Sequence, residues 1–227
     1  ASLETLRKYI DWTPFFHSWQ LKGRYPKILD DEEKGEEAKK LFKDANDMLD
    51  KIVSEQWLEA RAVIGLFPAN SINDDDIEVY TDESRTEVLT VIHNLRQQQQ
   101  KPPGKPNACL SDFIAPKETG IKDYIGTFAL TTGMGVDVRV TEYEKDHDDY
   151  SSIMLKALAD RLAEAFAEHM HDRIRHINWG YEKDSWTPCG GIEKGFNKPT
   201  LIKDAYSSTR PDPGYPACPY HTEQSLL

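Results

Sequence analysis

The chain has 227 residues, with 39 Asp and Glu against 28 Lys and Arg, for a formal net charge of -11. That balance argues against nucleic acid, whose binding needs a basic face to displace counterions, and it disfavours an anionic membrane for the same reason. No apolar run approaches the roughly 20 residues that cross a bilayer, and the start Ala1-Ser2-Leu3-Glu4 has no signal-peptide pattern, so a cytoplasmic chain of one domain is expected.

The first strong periodicity lies between Glu32 and Trp57. Ala38, Leu41, Phe42, Ala45, Met48, Leu49, Ile52 and Val53 recur at threes and fours, which predicts one core-facing amphipathic helix. Ala62–Phe67 and Ile77–Tyr80 then read as strands of an antiparallel pair, joined through the turn-rich Asn70–Asp76. Glu87 to Gln100 is expected to be a helix through Val88, Val91, Ile92 and Leu95, ending in a glutamine run and a proline-rich connector at Lys101–Pro106. Asp112–Ala115 and Tyr124–Thr131 are read as two further strands. Asp148 or Asp149 should cap a long helix reaching about Ile177, with Ile153, Met154, Ala157, Leu158, Leu162, Ala165, Phe166 and Met170 buried. Tyr181 to Asn197 is expected to be loop. The sum is an α+β fold with a mainly antiparallel twisted sheet and long amphipathic helices.

Chemistry-bearing patterns are few. Cys109, Cys189 and Cys218 are odd in number and scattered, which points away from a disulfide framework. His221 follows Cys218 by three residues, but a structural zinc site needs a second ligand pair that the nearby sequence does not supply. Glu164, Glu168 and His171 share a helical spacing, and Glu168-His169-Met170-His171 matches one half of a carboxylate-bridged di-metal pattern. Such a site also needs further glutamates on facing helices, and no metal site is expected. His169, His171, Arg173, Arg175 and His176 are read as positive charge complementing the C-terminal end of the helix dipole, or as a docking patch for an acidic electron-transfer partner. Gly133-Met134-Gly135 lacks the third glycine and the following helix of a dinucleotide-binding turn.

The most informative stretch is the last. Arg210-Pro211-Asp212-Pro213-Gly214-Tyr215-Pro216-Ala217-Cys218-Pro219 places four prolines, a glycine and a lone arginine in ten residues. Each proline fixes φ and removes a donor, so this is an ordered loop rather than helix interior or central strand. Such stiffness suits a binding loop in which Arg210 offers its planar fork to a carboxylate or phosphate. A proline-rich surface turn has the same composition.

This motif is similar to that of the S-adenosylmethionine-binding reactivation domain of cobalamin-dependent methionine synthase. Asp11-Trp12-Thr13-Pro14-Phe15-Phe16, Leu41–Leu49, Gly65–Asn70, His147–Tyr150 and Lys156–Phe166 resemble the same family in the same order, from about Asp11 to about Glu223. The resemblance implies that Asp11 and Arg210 bind S-adenosylmethionine. Charge matching gives Arg210 the ligand carboxylate and Asp11 its ammonium. Tyr215, with Pro211 and the backbone near Asp212 and Gly214, would line the adenosine, while Glu164 occupies the position of a helix carboxylate near the ligand and Asp204 that of an acid before the motif.

What the resemblance implies about activity is reactivation. A flavodoxin-like flavoprotein supplies one electron to oxidised cob(II)alamin, and the methyl group of S-adenosylmethionine passes to the cob(I)alamin formed. Cobalamin is held by a partner module, since this chain has no Asp-x-His-x-x-Gly pattern, and the isolated domain would turn nothing over by itself. The chain stops at Leu227, where the family domain continues and contributes a ligand-site tyrosine, so a domain truncated at its C-terminus is expected. A docking or regulatory module that keeps the fold without methyl donation is the alternative. A free-standing methyltransferase is a third reading, set back by the absence of a Gly-rich Rossmann turn.

Overall fold

The computed structural model describes residues 1–181, 210, 211, 213–219, 221 and 222. The described residues fall into two compact units, one holding Ala1–Ala62 and the residues from Leu130 to Tyr181, the other Val63–Ala129 and the residues from Arg210 onward.

The first unit is mainly helical. α1 (Leu3–Arg7) starts at Ser2, whose hydroxyl accepts from the Thr5 amide, and α2 (Trp12–Ser18) starts at Asp11, whose carboxylate accepts from the Thr13 amide. Each cap satisfies one of the orphan donors of a helix start. Pro14 is tolerated because it lies in the first turn of α2, where no intrahelical donor is needed. α3 (Gly35–Ser54) is the amphipathic helix expected from Glu32 to Trp57, with Ala38, Leu41, Ala45, Met48, Leu49 and Ile52 buried. Trp12, Phe15, Phe16, Tyr25 and Phe42 pack edge-to-face or stacked upon one another, so the aromatics of Asp11–Phe16 serve as core.

The four strands β1 (Glu59–Ile72), β2 (Asp76–Tyr80), β3 (Val88–Ile92) and β4 (Asp123–Met134) form one sheet in the order β3-β2-β1-β4. β1 and β2 pair antiparallel with Ala69 opposite Val79 and Ile72 opposite Asp76, around a turn in which Asn73 and Asp74 take positive φ. Asn and Asp tolerate that region because their short side chains bond locally. The core of the second unit gathers Ala69, Ile77, Val79, Ile92, Ile114 and Ile125, with Phe67 and Leu110 packed against it.

α4 (Val136–Lys145) and α5 (Asp149–Arg173) complete the helical unit. Asp148 is the α5 cap, accepting from the Ser151 amide at 3.0 Å. α5 packs against α1, α2, α3 and α4, which is why its buried residues are so numerous. Its end widens into a π turn, Ile174–Asn178, closed by the Trp179 amide on the Ile174 carbonyl at 2.9 Å. Among the described residues no helix is long and apolar enough to cross a membrane.

The α+β class and the antiparallel sheet are those expected from sequence. Five local readings are corrected. Asn70–Ile72 is not turn: it ends β1 and pairs with Asp76–Glu78. Glu87–Gln100 is not a helix: Val88–Ile92 pairs antiparallel with β2, Ile92 opposite Ile77, and is followed by irregular chain. Asp112–Ala115 is not a strand, because the Asp112 carboxylate turns back onto the Cys109 amide at 2.8 Å and nucleates a 3-10 turn over Leu110–Phe113. A helix, α4, does follow Gly135. Ile153 stands out from α5 as an exposed side chain rather than joining the buried face. Cys189 and nearly all of the expected loop from Tyr181 to Asn197 lie outside the described residues.

Candidate functional site

Of the residues singled out by the proline-rich motif, Arg210, Pro211, Gly214 and Tyr215 are described and belong to the second unit; Asp204 and Asp212 lie outside the described residues. The motif folds as a closed turn. The Gly214 amide donates to the Cys218 carbonyl at 2.7 Å and the Cys218 amide to the Tyr215 carbonyl at 2.9 Å, which makes a bridge between Tyr215 and Cys218. The prolines fix the flanking φ angles, and these two bonds close the turn upon itself.

Gly214 is required there on two grounds. Its φ of 105° lies in the left-handed region, and a Cβ built on it would collide with the imidazole of His221. His221 therefore packs against the turn. Cys218 points inward and is buried, whereas Tyr215 is 59% exposed. Arg210 and Pro211 are half-buried.

Asp11 is in the helical unit, half-buried at the start of α2, with Oδ1 committed to the Thr13 amide at 3.0 Å. That bond leaves its other oxygen as an acceptor for an ammonium or hydroxyl group. Glu164 is exposed on the outer side of α5. The helix spacing that grouped it with His171 does not survive, since His171 is buried, and among the described residues no group of three or more His, Cys, Asp or Glu is arranged to hold a metal ion.

The polar end of α5 is a buried network rather than a solvent-facing patch, which overturns the docking reading of His169, His171 and Arg175. Tyr9 donates to Asp172 Oδ2 at 3.2 Å, and Arg175, 3% exposed, pairs with Asp172 Oδ1 at 3.1 Å. His176 Nδ1 lies 2.9 Å from the Asp172 carbonyl. Burial, reinforced by the Asp172 charge, pushes the Tyr9 phenol well above its usual range. His169 stands edge-on to the Tyr9 ring and near-parallel to Phe166. Burial holds it below the usual imidazole range, with the charges of the chain's first amine and Arg173 acting in the same direction and Asp172 opposing. The sequence signalled positive charge here; it carried no signal that Asp172 would receive it together with a hydrogen bond from Tyr9, 163 residues away.

Two comparisons complete the description of the site. The family described as vitamin B12 dependent methionine synthase, activation domain, matches residues 2–227. Among solved structures, a MetH reactivation domain bound to AdoHcy superposes with a TM-score of 0.89 at 55% identity, covering 100% of this chain. The chain spans 66% of the length of that neighbour.

Proposed function

The chain belongs to the activation domains of vitamin B12 dependent methionine synthase, and we propose that it binds S-adenosylmethionine and presents it to a cobalamin held by another module, so that cofactor lost to oxidation is methylated back into service. The observation that carries this reading is the rigid turn Gly214–Cys218 with Arg210 at its entrance, taken with the AdoHcy bound by the neighbour.

The residues fit such a ligand. An amino acid moiety needs a cation for its carboxylate and an acid for its ammonium, which Arg210 and Asp11 supply. Arg210 offers a planar fork for bidentate pairing, and the second oxygen of Asp11 accepts while the first holds α2. Tyr215 presents an aromatic face for the adenosine, beside the Gly214 backbone. Pro211, Asp212, Glu164 and Asp204 are assigned to the same ligand on the family resemblance alone. When bound, S-adenosylmethionine supplies a methyl group on a sulfonium that is its own leaving group. The chain then need provide no general acid or base: its residues hold the ligand and set its direction. The one-electron donor would be a flavodoxin-like protein, in the cytoplasm, and the domain alone would turn nothing over.

Titrating S-adenosylhomocysteine into the protein in a calorimeter should give saturable heat. In full-length methionine synthase, Asp11→Asn should impair reactivation while leaving primary turnover from methyltetrahydrofolate largely intact, because asparagine keeps the oxygen that caps α2 and loses only the charge offered to the reactivating ligand. Equal loss of both activities would make Asp11 a helix cap and nothing more. Reactivation without S-adenosylmethionine would favour a docking module with the same fold.

A further inference from the structure

The turn that bears Tyr215 is held from outside itself. Cys218 is 3% exposed, and its Sγ donates to Oδ1 of Asn94 at 3.7 Å, across 124 residues of sequence. Asn94 is buried just beyond the end of β3. Its Nδ2 donates to the carbonyls of Asp75 at 3.0 Å and Ile92 at 3.4 Å. Two carbonyls can be met only by the NH2 group of an amide, so the oxygen of Asn94 is the atom left to face the thiol. The carboxamide thus reads its two sides differently: one side grips the sheet, the other the turn.

The geometry of Cys218 transmits that grip. Its amide and carbonyl make the two bonds that close the turn, to the Tyr215 carbonyl and from the Gly214 amide. Moving Cys218 therefore moves Gly214 and Tyr215 with it. His221 confines Gly214 from a third direction.

We infer that Asn94 and Cys218 are positioning residues for the ligand loop: the buried Asn94–Cys218 bond fixes where Gly214 and Tyr215 stand, and so tunes ligand affinity from a site the ligand does not touch. Its ligand-affinity clause rests on the proposed function; its anchoring clause does not. A carboxylate at position 94 would set an oxygen against the Asp75 and Ile92 carbonyls, and an apolar side chain at 218 would leave Oδ1 of Asn94 without its donor.

The test uses the full chain and two independent readouts: hydrogen exchange at the Gly214 and Cys218 amides, and affinity for S-adenosylhomocysteine by calorimetry. Cys218→Val removes the donor at similar volume, and Cys218→Ser restores one. Cys218→Val should speed exchange across 213–219 and weaken S-adenosylhomocysteine about threefold to tenfold, the range expected for one neutral hydrogen bond. Cys218→Ser should return both readouts toward the unsubstituted protein, and Asn94→Asp should reproduce the valine effect. If Asn94→Asp does not fold, the Val and Ser pair at 218 decides. Exchange across 213–219 that is unaltered in Cys218→Val overturns the inference. Absence of any S-adenosylhomocysteine binding by the unsubstituted protein refutes the proposed function instead, and the exchange data still decide the anchoring.

Discussion

The end of α5 and the turn around Gly214 both concentrate polar and charged residues, and they spend them in opposite directions. At the helix end, Tyr9, Asp172, Arg175 and His176 close upon one another in a buried net. In the turn, the backbone closes upon itself and Cys218 faces inward, so that Tyr215 is turned out to solvent. A cluster of titratable side chains is therefore weak evidence for a site when the fold supplies the partners. A short stretch that closes upon itself and turns an aromatic side chain out to solvent is stronger evidence, because that side chain is left for something other than folding.

Three measurements can break or sharpen that contrast. The largest effect belongs to the buried net. Asp172→Ala removes the carboxylate that Tyr9 and Arg175 share, and removing one member of a buried pair costs about 3–5 kcal/mol, read as a lower urea midpoint. Tyr215→Ala, by comparison, should change stability by less than about 0.5 kcal/mol, since little of that side chain is buried. A large stability loss for Tyr215→Ala would erase the distinction between the two regions.

Next comes binding. Arg210→Lys should weaken S-adenosylhomocysteine nearly as much as Arg210→Ala, because a point ammonium does not reproduce a bidentate fork. The loss expected for a charge-assisted bond in a partly desolvated site is about 1.5–3 kcal/mol, roughly tenfold to a hundredfold in Kd. Unaltered affinity in the alanine variant would make the motif an ordinary surface turn.

The smallest effect is a pH slope. His169 has a folded-state pKa below its unfolded value, so between the two the unfolded chain binds more protons and stability rises with pH. The contribution is fully present above the unfolded pKa of about 6.5, is lost as pH falls below it, and levels off beneath the folded pKa. The rings packed on it are Tyr9 and Phe166, and the charges acting on it are those of the chain's first amine, Asp172 and Arg173. His169→Phe should flatten the urea midpoint between about pH 7 and pH 5, and identical slopes in the two proteins would remove His169 as the source.

Legibility in the sequence followed the reach of the determining contact. α3 and α5 were plain because their apolar spacing is written locally over many turns, and the Asp148 cap stands next to its helix. β3 misled because Val88, Val91, Ile92 and Leu95 also fit a helical stripe; pairing with β2 and the β-branched run Thr90-Val91-Ile92 decided otherwise. α4 was hidden for the converse reason, since Val136, Val138 and Val140 alternate as a strand would, yet Gly135 at a φ of 103° turns the chain into a helix. At the site, the proline-rich motif announced a stiff loop from composition alone. The Asn94 anchor was invisible: a single asparagine after a strand has no pattern, and its partner is 124 residues away.

The π turn at Ile174–Asn178 has a bearing on descent. A ring closed from Trp179 back to Ile174 accommodates one residue more than an α turn would. The helix thus carries a spare residue near its end. Lineages can shed it there by tightening the coil instead of breaking it, whereas the same deletion deeper in α5 would rotate every later side chain by about 100° and pull Asp172 out of register with Tyr9. Length variation along this helix should accordingly concentrate after His176, downstream of the buried net.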